Sequence, residues 1–585
     1  MEYKIIEPGT VSLRDFSQGD VVFVDKTMYI EALEQRAGTK VPVFLRPRRF
    51  GKTLFTNILL SYYDRSQRKN FEENFKGTWI YDHRTPLAGS YYCLKLDFSK
   101  VGAVVSEIGR SFIKSVISGI RNFNFRYPDK KFMPGGKIDP DDYSSPADLI
   151  QDFLDFFIEN SGTDDLLYFI IDEYDHFAND VLTNDRQAFR NLTSTADGNE
   201  GLIKNFYTML KSYYGSNKND GQCIERFYIT GVSAVSLDSV TSGFNIATNI
   251  SEEPLFNAMA GFTHSELSQV IDETVDFSGL HGITKAQVMQ VMEQRYDGYL
   301  FSKHAADKIF CPNMCLNFLR NLINTSMIPV LVTDRSVSFD ASRLKSMLNL
   351  AEPEAAEELT NAIFRRESVA SGEPQDLNLN QSDLFDRDQM VSLLTYLGFL
   401  TCDPYKSVKG SPDVWYRSPN EASYQTFLDC LARQGGFARP HGVDLRALID
   451  DGDITPLLNE VSRQIKAIPS RGFSGFNERS LQLIFYFTLD NGGAGQLDTR
   501  LECDDGERGA ADIFARSLKH GGRSLLLELK YLPKAKGSDA AVAAKLEEAK
   551  SQLIRYRQAP NFRSVKNLDC WAVVFVNADP KAEKL

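Results

Sequence analysis

Short apolar runs separated by longer amphipathic stretches characterise the first half of the chain. The runs cover residues 41–45, 91–98, 166–172 and 224–233. Runs of this length, rich in aromatic and β-branched residues, predict buried strands, and the stretches between them carry the helical period. Strands that alternate with helices predict a parallel sheet with helices on both faces. We therefore predict an α/β core over residues 1–253.

The pattern changes to helices from residue 254 onward. Thr263 and Thr284 each precede a Glu or Gln by three positions. This is the arrangement of a capping box, in which the two side chains cap the backbone at the start of a helix. The pattern therefore predicts helices that begin at these two threonines, and we expect a helical lid over residues 254–375.

A polar stretch and a small mixed unit follow the lid. Residues 366–386 are polar and poor in helix formers, which predicts a linker. The apolar segments 398–402 and 414–417 predict a hairpin after a helix at 387–397. Together they predict a small winged-helix-like unit within residues 376–470, which either touches DNA or joins two domains.

Composition restricts the class of protein. With 585 residues the chain is too long for one core and predicts three or four domains, and 42% hydrophobic and 25% charged residues are typical of soluble globular proteins. No run of 18 apolar residues occurs, and MEYKIIEPGT lacks the features of a signal peptide. We expect a cytoplasmic protein without a membrane partner, whose eight scattered cysteines are reduced.

Charge is distributed unevenly along the chain. The net charge is −12, yet residues 471–585 hold 18 Lys and Arg against 15 Asp and Glu. An acidic chain repels nucleic acid, so a nucleic-acid contact is expected only in the mildly basic tail.

The segment RPRRFGKT at residues 46–53 has the order that a phosphate-binding loop requires. A strand leads into a turn, and a helix follows, so that backbone N–H groups and the positive helix end face the phosphates. Lys52 is expected to reach the β and γ phosphates, and the Thr53 hydroxyl to bind Mg²⁺. Arg46 stands where such loops usually have glycine. The residues expected to bind ATP in the loop are Arg49, Phe50, Gly51, Lys52 and Thr53.

Acidic and hydroxyl residues end two of the other predicted strands. The apolar run 166–171 is followed by Asp172 and Glu173. In P-loop ATPases this arrangement places one carboxylate at the Mg²⁺ ion and the next beside the attacking water, so we expect Asp172 to bind Mg²⁺ and Glu173 to be catalytic. Thr230 or Ser233, at the end of the following strand, is a candidate sensor of the γ phosphate.

Four segments together resemble a known family. FVDKTMYIEAL, FLRPRRFGKT, FIIDEYD and FYITGVSAVSLDSVTSGFN look like the AAA-ATPase-like proteins that carry a PD-(D/E)XK nuclease-like tail. In that family RPRRFGK followed by Ser or Thr is the ordinary loop, which implies that Arg46 is a family trait. The resemblance also implies that residues 1–40 adjoin the nucleotide base. YDGYLF at residues 296–301 resembles an aromatic motif of the family, and we expect its rings to form a packed joint.

A second set of candidate site residues lies in the tail, residues 471–585. Glu478 begins a predicted helix, and Asp512 and Glu528 lie in two strands predicted to form a hairpin. Lys530 shares a face with Glu528 because side chains alternate along a strand. Asp512 and Glu528 would bind Mg²⁺, with Glu478 completing the metal site, and Lys530 would orient or deprotonate the water. The plain alternative is a surface hairpin with ordinary alternating charges, but the strand 525–529 is too apolar for a surface.

The spacing of these tail residues resembles that of the PD-(D/E)XK nucleases. Asp512 precedes Glu528-x-Lys530 by fifteen intervening residues, and Gln552 and Tyr556 match a Q-x-x-x-Y element seen in some of those enzymes. Ala511 stands where the name-giving proline is found, a departure that the superfamily tolerates. The resemblance implies a nuclease-like α/β domain at residues 471–585.

The predicted function is an ATPase, with ATP and Mg²⁺ as cofactors, that controls a Mg²⁺-dependent nuclease. Its expected partner is nucleic acid, with DNA favoured over RNA, and a homo-oligomer is left open. The first alternative is a nucleotide-switched regulatory or assembly protein with a degenerate nuclease-like domain that binds without cleaving. The second is a signalling ATPase with an unrelated tail that binds a partner.

Overall fold

A computed structural model shows the protein as two compact units. It describes residues 3–7, 20–36, 40–128, 138–193, 201–235, 244–280, 282–329, 341–375, 377, 384–407, 413–434, 444–468, 476–492, 496–504 and 509–585. The first unit takes its residues from 1–338, 346–359 and 368–423, and the second from 339–345, 360–367 and 424–585. The second unit thus begins before the predicted domain boundary at residue 471 and includes two short upstream stretches.

A five-stranded parallel sheet forms the core of the first unit. Its strands are β1 (Pro42–Leu45), β2 (Tyr92–Asp97), β3 (Leu167–Asp172), β4 (Ile224–Gly231) and β5 (Thr248–Asn249). Their order is β2-β3-β4-β1-β5, and every neighbouring pair is parallel. All residues of β1 and β3 are buried, as their apolar sequences require. The predicted parallel α/β sheet is therefore confirmed, and the carboxyl ends of β1, β3 and β4 meet at one edge.

Helices connect these strands. They are α1 (Met28–Gln35), α2 (Lys52–Tyr63), α3 (Phe71–Phe75), α4 (Trp79–Asp82), α5 (Ile108–Arg126), α6 (Pro146–Asn160), α7 (His176–Asn184), α8 (Arg186–Thr193) and α9 (Leu202–Ser212). α5 packs closely on β2, since a Cβ atom at Gly119 would lie 2.5 Å from a methyl of Leu96. α6 begins where Ser145 accepts a hydrogen bond from the Asp148 N–H.

The middle of the chain is mainly helical. Its elements are α10 (His264–Thr274), α11 (Lys285–Tyr296), α12 (Pro312–Thr325), α13 (Ala341–Leu348), α14 (Pro353–Phe364), β6 (Val369–Ser371), α15 (Arg387–Tyr396), β7 (Thr401–Cys402), β8 (Val414–Arg417) and α16 (Glu421–Gln434). Both predicted capping boxes are present, and the predicted hairpin is confirmed as β7 and β8. The predicted linker 366–386 was wrong in part, because β6 lies within it and pairs with β8. Three residues are too short a run for alternation to reveal a strand.

The second unit contains a mixed sheet with helices. Its remaining elements are α17 (Arg446–Asp451), α18 (Thr455–Ala467), α19 (Glu478–Gly492), β9 (Leu497–Asp504), β10 (Ala510–Ser517), β11 (Ser524–Leu532), α20 (Asp539–Gln558), β12 (Leu568–Val576) and β13 (Asp579–Lys584). The strand order is β13-β12-β11-β10-β9, and only β11 and β12, which α20 connects, are parallel. The antiparallel hairpin predicted for Asp512 and Glu528 is confirmed as β10 and β11.

Two further features concern membrane spans and cysteines. No helix in the described ranges is both long and apolar enough to cross a membrane. All eight cysteines are free, and seven of them are buried.

Candidate functional site

The turn between β1 and α2 has the shape of an anion-binding loop. Gly51 precedes the first residue of α2 with φ of 100°, a left-handed conformation that glycine adopts without strain, and Arg49 has φ of 71°. Within the described residues no side chain caps the start of α2. The N–H groups at this helix end are therefore available to an anion, and the helix dipole favours negative charge there.

Lys52 and Glu173 face each other across this loop. The Lys52 side chain is buried, and its Nζ donates hydrogen bonds to the carbonyls of Arg46 (3.0 Å) and Pro47 (3.3 Å). Its Nζ also lies 3.8 Å from Glu173 Oε1. Glu173 follows β3 with φ of 53°. A left-handed conformation costs a non-glycine residue about 1 kcal/mol or more, and such strain is concentrated at functional sites. The structure thus brings together two residues that the sequence predicted.

Asp172 lies beside a lysine that the sequence analysis missed. The buried Asp172 carboxylate accepts a hydrogen bond at Oδ2 from Thr56 Oγ1 (3.4 Å), and the same oxygen is 3.6 Å from Lys95 Nζ. Lys95, on β2, also donates to Thr56 Oγ1 (2.6 Å). Burial lowers the pKa of Lys95, and the Asp172 charge opposes that shift. Asp172 Oδ1 is buried and has no hydrogen-bond partner within the described residues.

Asp172 Oδ1 suits a Mg²⁺ ligand. A buried carboxylate oxygen without a hydrogen-bond donor costs free energy, and Mg²⁺ prefers oxygen ligands of this kind. Thr53, the other predicted ligand, lies in the wall of the cavity described next. The hydroxyl that bonds Asp172 belongs to Thr56, three residues later. A lysine in an apolar strand was itself a signal that could have identified Lys95.

A cavity of about 270 Å³ opens at the loop. Its lining includes residues 49–53 and Glu173. It also includes the apolar side chains of Val22, Val24, Met259, Phe262 and Leu316. The cavity therefore combines the N–H groups of a helix end and a lysine with apolar surface. It contains all five loop residues predicted to bind ATP: Arg49, Phe50, Gly51, Lys52 and Thr53.

The lead-in segment before α1 also borders the cavity. Lys26 Nζ donates to Glu266 Oε1 (2.6 Å) and to the Ala258 carbonyl (2.8 Å). Asp25 accepts hydrogen bonds from the N–H groups of Thr27 (2.8 Å) and Trp79 (2.6 Å). The spacing of Asp25 and Lys26 in the sequence gives no sign of these contacts to residues far along the chain.

Arg46 points away from the phosphate loop. Its guanidinium is buried between the rings of Phe44 and Phe301, 4.4 and 4.1 Å from their centroids. It donates hydrogen bonds to four backbone carbonyls, those of Leu45, Ser251, Phe256 and Asn257. Burial lowers the pKa of Arg46 to about 9. Arg46 thus fastens the end of β1 to the segment 251–257, and the usual glycine is replaced without adding a side chain to the phosphate side.

The aromatic segment 296–301 is packed, as the sequence predicted. The ring of Phe50 meets those of Tyr299 and Phe301 edge to face, at 4.9 and 5.6 Å between centroids. Tyr299 is buried, and its hydroxyl lies 2.8 Å from Ser423 Oγ. The Gly261 N–H donates to the Phe50 carbonyl (3.0 Å). The phosphate loop is therefore held by the segments that follow the sheet.

Neither predicted phosphate sensor lies in the cavity wall. The buried Thr230 hydroxyl donates to the Phe44 carbonyl (2.7 Å), which ties β4 to β1. The Ser233 hydroxyl donates to Asp175 Oδ2 (2.9 Å). Asp175 also accepts hydrogen bonds from the N–H groups of Val232 (3.0 Å) and Ser233 (2.8 Å). These side chains hold the ends of β3 and β4 together.

Gly231, which ends β4, has no room for a side chain. A Cβ atom there would lie 2.3 Å from Asp175 Oδ1 and 2.5 Å from the Tyr174 ring. We expect Gly231→Ala to destabilise the first unit by about 1 to 3 kcal/mol, the usual cost of overpacking. Gly109→Ala is the matched control, because the added Cβ would meet no atom within 4 Å. Urea unfolding followed by circular dichroism would measure both, and equal midpoints would contradict the prediction.

The second unit brings together the predicted residues Asp512, Glu528 and Lys530. All three are buried, at 6%, 2% and 6% exposure. Asp512 Oδ2 accepts a hydrogen bond from the Leu529 N–H (2.5 Å), and Lys530 Nζ donates to Glu528 Oε1 (2.8 Å). The backbone ladder of β10 and β11 includes the pair Ile513↔Leu527, so the carboxylates lie beside it.

The charges of this cluster perturb one another. Burial raises the pKa of Asp512, and the nearby Glu528 charge raises it further. Burial likewise raises the pKa of Glu528, although Lys530 opposes the shift. Burial alone would lower the pKa of Lys530, but the two carboxylates outweigh it and raise that pKa. Glu528 Oε2 is buried without a hydrogen-bond partner in the described part of the chain.

Gln482 and Glu502 also belong to the cluster and were not predicted. Gln482 Nε2 donates to Asp512 Oδ1 (2.7 Å) and to Glu502 Oε1 (2.9 Å). Glu502 has φ of 43° and stands across β9 and β10 from Asp512, between the pairs Ala511↔Cys503 and Ile513↔Leu501. Gln482 lies one turn after Glu478, so helical spacing could have identified it. Glu502 has no comparable signal.

The predicted three-carboxylate metal set is not fully assembled. Over the described ranges, no group of three or more His, Cys, Asp or Glu side chains could hold a metal ion. Glu478 is partly exposed, and its Oε1 lies 3.7 Å from Lys530 Nζ. The pair Asp512 and Glu528 fits a Mg²⁺ ion better, because both carboxylates are buried and Glu528 Oε2 has no hydrogen-bond donor in the described residues.

The helix α20 carries the predicted Gln552 and Tyr556. Burial raises the pKa of Tyr556, and the Glu528 charge adds to the shift, which places this phenol near the cluster. Gln552 Oε1 is buried without a partner in the described residues.

Comparison with known proteins identifies a likeness in the N-terminal part of the chain. No curated protein sequence matches this chain. A solved structure, the Walker-type ATPase of Pyrococcus abyssi, matches at 11% identity and a TM-score of 0.37, over 69% of this chain and 94% of that one. A likeness this weak supports no argument about the present chain. Residues 8–241, which contain the phosphate loop, Asp172 and Glu173, match the family model described as Predicted AAA-ATPase.

Proposed function

We propose that the protein binds and hydrolyses ATP and that its nucleotide state controls a Mg²⁺-dependent nuclease site in the second unit. The observation that carries the proposal is the cluster of Asp512, Glu528 and Lys530, three buried charged groups for which a fold alone has no need. Burial of charge is costly even where an ion pair such as that of Lys530 with Glu528 forms, so such a cluster is typical of a catalytic site.

Several features support the ATPase half of the proposal. The cavity combines an uncapped helix end and Lys52 with an apolar wall suited to a flat base. Asp172 Oδ1 has no donor in the described residues, which suits a ligand of the Mg²⁺ that accompanies ATP. Glu173 lies beside Lys52 and would orient the attacking water. The match of residues 8–241 to predicted AAA-ATPases agrees with this assignment.

For the nuclease half, Asp512 and Glu528 would hold Mg²⁺. The ion would polarise a phosphodiester and lower the pKa of a bound water. Lys530 would orient the water and offset the negative charge that develops on the phosphate. Gln482 would keep Asp512 and Glu502 in place through its two hydrogen bonds.

One observation favours a second candidate function. The described residues offer no group of three metal-binding side chains, so the second unit would serve as a non-cleaving binding domain in a nucleotide-switched regulatory protein. Incubation of the purified protein with circular and linear DNA, with ATP and Mg²⁺ varied independently, separates the two candidates. Cleavage that requires Mg²⁺ supports the nuclease, and its absence under every condition supports the binding domain.

If the nucleotide state controls the second unit, binding of nucleotide to the first unit should change the affinity of the second unit for DNA. Coupling free energies are typically 1 to 3 kcal/mol, so we expect a non-hydrolysable ATP analogue to change DNA affinity by roughly 5- to 150-fold. Fluorescence anisotropy of labelled DNA with the Asp512→Asn variant, with Mg²⁺ present so that the analogue can bind with its metal ion, would measure the affinity without cleavage. Adding Lys52→Ala, which cannot hold the phosphates, should remove the effect of the analogue. A change of less than twofold in Asp512→Asn alone would mean that the first unit does not govern the second.

A further inference from the structure

Four arginines of the second unit lie near its carboxylate cluster. Arg365 and Arg366 follow α14, Arg479 is the second residue of α19, and Arg500 lies on β9. All four belong to this unit although Arg365 and Arg366 are far from the others in sequence. Arg365, Arg366 and Arg500 are exposed. Arg365 and Arg366 lie within the predicted lid and linker, so no sequence pattern associates these two residues with Asp512.

Aromatic rings fix the places of two of these guanidinium groups. The Arg366 guanidinium lies 3.8 Å from the centroid of the Tyr424 ring, and that of Arg479 lies 5.6 Å from the centroid of Phe364. The Tyr424 hydroxyl donates to the Phe364 carbonyl (2.9 Å). These contacts join the end of α14 to α16 and to the start of α19, so the guanidinium groups of Arg366 and Arg479 both lie beside the end of α14.

The same arginines are adjacent to the acids of the cluster. Arg479 follows Glu478, whose carboxylate is 3.7 Å from Lys530 Nζ. Arg500 and Glu502 are two positions apart on β9, where side chains at that spacing share a face. Burial raises the pKa of Glu502, and the positive charge of Arg365 opposes the shift, so Arg365 also lies close to this acid.

The charges of the chain indicate what the four arginines can do. The chain carries a net charge of −12, and the cluster contains four carboxylates, which repel any polyanion. A polyanion can approach Asp512 and Glu528 only over a surface that offsets this charge. Guanidinium groups suit phosphate because their planar fork donates two parallel hydrogen bonds. An acidic peptide would also be attracted, but Lys530 and the two buried carboxylates beside the arginines suit phosphodiester chemistry.

We infer that Arg365, Arg366, Arg479 and Arg500 form the surface that binds the phosphate backbone of a nucleic-acid strand and presents it to the second site. This inference rests on the proposed nuclease or nucleic-acid-binding function of the second unit. It adds a phosphate-binding segment from well upstream of the predicted nuclease-like domain.

The test compares charge-neutral and charge-conserving variants of the full-length protein. Each phosphate contact contributes about 0.9 to the slope of log K against log salt concentration for duplex DNA. Removing two contacts in Arg365→Gln/Arg366→Gln should therefore make the slope shallower by about 2 and weaken binding at low salt. Arg365→Lys/Arg366→Lys keeps the charges and should restore the slope. The probes are a fluorescein-labelled DNA duplex and a labelled single-stranded RNA, with EDTA present to prevent cleavage.

A matched control removes the same charge elsewhere in the unit. Arg563 and Lys566 are exposed in the connection between α20 and β12, and Arg563→Gln/Lys566→Gln should leave the slope as in the wild type. Thermal melts followed by circular dichroism show whether each variant folds. If Arg365→Gln/Arg366→Gln keeps the wild-type slope, the inference that these arginines bind phosphate is refuted, while the proposed function of the second unit is unaffected. Failure of the wild-type protein to bind either probe would overturn the proposed function and this inference together.

Discussion

Glu173→Gln is expected to bind ATP with nearly wild-type affinity and to hydrolyse it about 10²- to 10⁴-fold more slowly, the range that a general base contributes. Glutamine has almost the same shape as glutamate but cannot accept the proton of the attacking water. The Glu173 carboxylate lies at the loop beside Lys52, and its strained backbone holds it there. Replacement leaves the Lys52 Nζ bonded to the Arg46 and Pro47 carbonyls, so the loop keeps its shape.

Two further variants complete this experiment. Lys52→Ala should lose ATP binding itself, because the phosphates lose the point charge that holds them. Glu72→Gln, at an exposed position of α3, removes the same charge as Glu173→Gln and should hydrolyse ATP at the wild-type rate. Calorimetry would give the affinities, and release of inorganic phosphate would give the rates. Wild-type turnover in Glu173→Gln would refute the role given to Glu173.

The parts of the fold that follow from periodic patterns could be predicted from the sequence. The buried strands of the first unit read as unbroken apolar runs because both faces of a parallel sheet are covered. The two threonine capping boxes are local signals, since all their hydrogen bonds lie within four residues. The short strand β6 has no periodicity, and its pairing with β8 is decided by contacts distant in sequence.

The same difference separates the predicted and missed parts of the two sites. Lys52, Asp172 and Glu173 are recognisable because the loop and the strand end place them by local geometry. Lys95 approaches Asp172 from a neighbouring strand, and Arg46 reaches carbonyls some 200 positions away in sequence. Such contacts depend on how elements pack, which no spacing encodes. Glu502 likewise reaches Asp512 only through the register of β9 and β10.

We expect the carboxylate charges of the acidic cluster to lower the folding stability of the second unit, although cleavage is expected to need the same charges. Burial raises the pKa of both Asp512 and Glu528, and a neighbouring carboxylate adds to each shift, Glu528 for Asp512 and Glu478 for Glu528, so their ionised forms cost folding free energy when no metal is bound. Functional sites commonly retain such a cost. Asparagine has almost the same shape and no charge, and its Oδ1 can still accept one of the two hydrogen bonds that Asp512 accepts from Leu529 and Gln482. In EDTA, Asp512→Asn is therefore expected to melt at the same temperature as the wild type or higher, although we expect the variant to lose cleavage.

Loss of cleavage should separate into two kinds among the cluster variants. Asp512→Asn and Glu528→Gln are expected to abolish cleavage and to weaken Mg²⁺ binding, because each removes a ligand charge. Lys530→Met should abolish cleavage with Mg²⁺ binding retained or strengthened, since an ammonium is not a ligand and its charge repels the ion. Asp579→Asn, at an exposed position of β13, is the control and should change neither property. Titration calorimetry with Mg²⁺ and a DNA cleavage assay measure the two properties on the same samples. Equal Mg²⁺ affinity in all three cluster variants would show that Asp512 and Glu528 do not form a metal site. The second unit would then be a binding domain, in which the buried Lys530 serves only to neutralise Glu528.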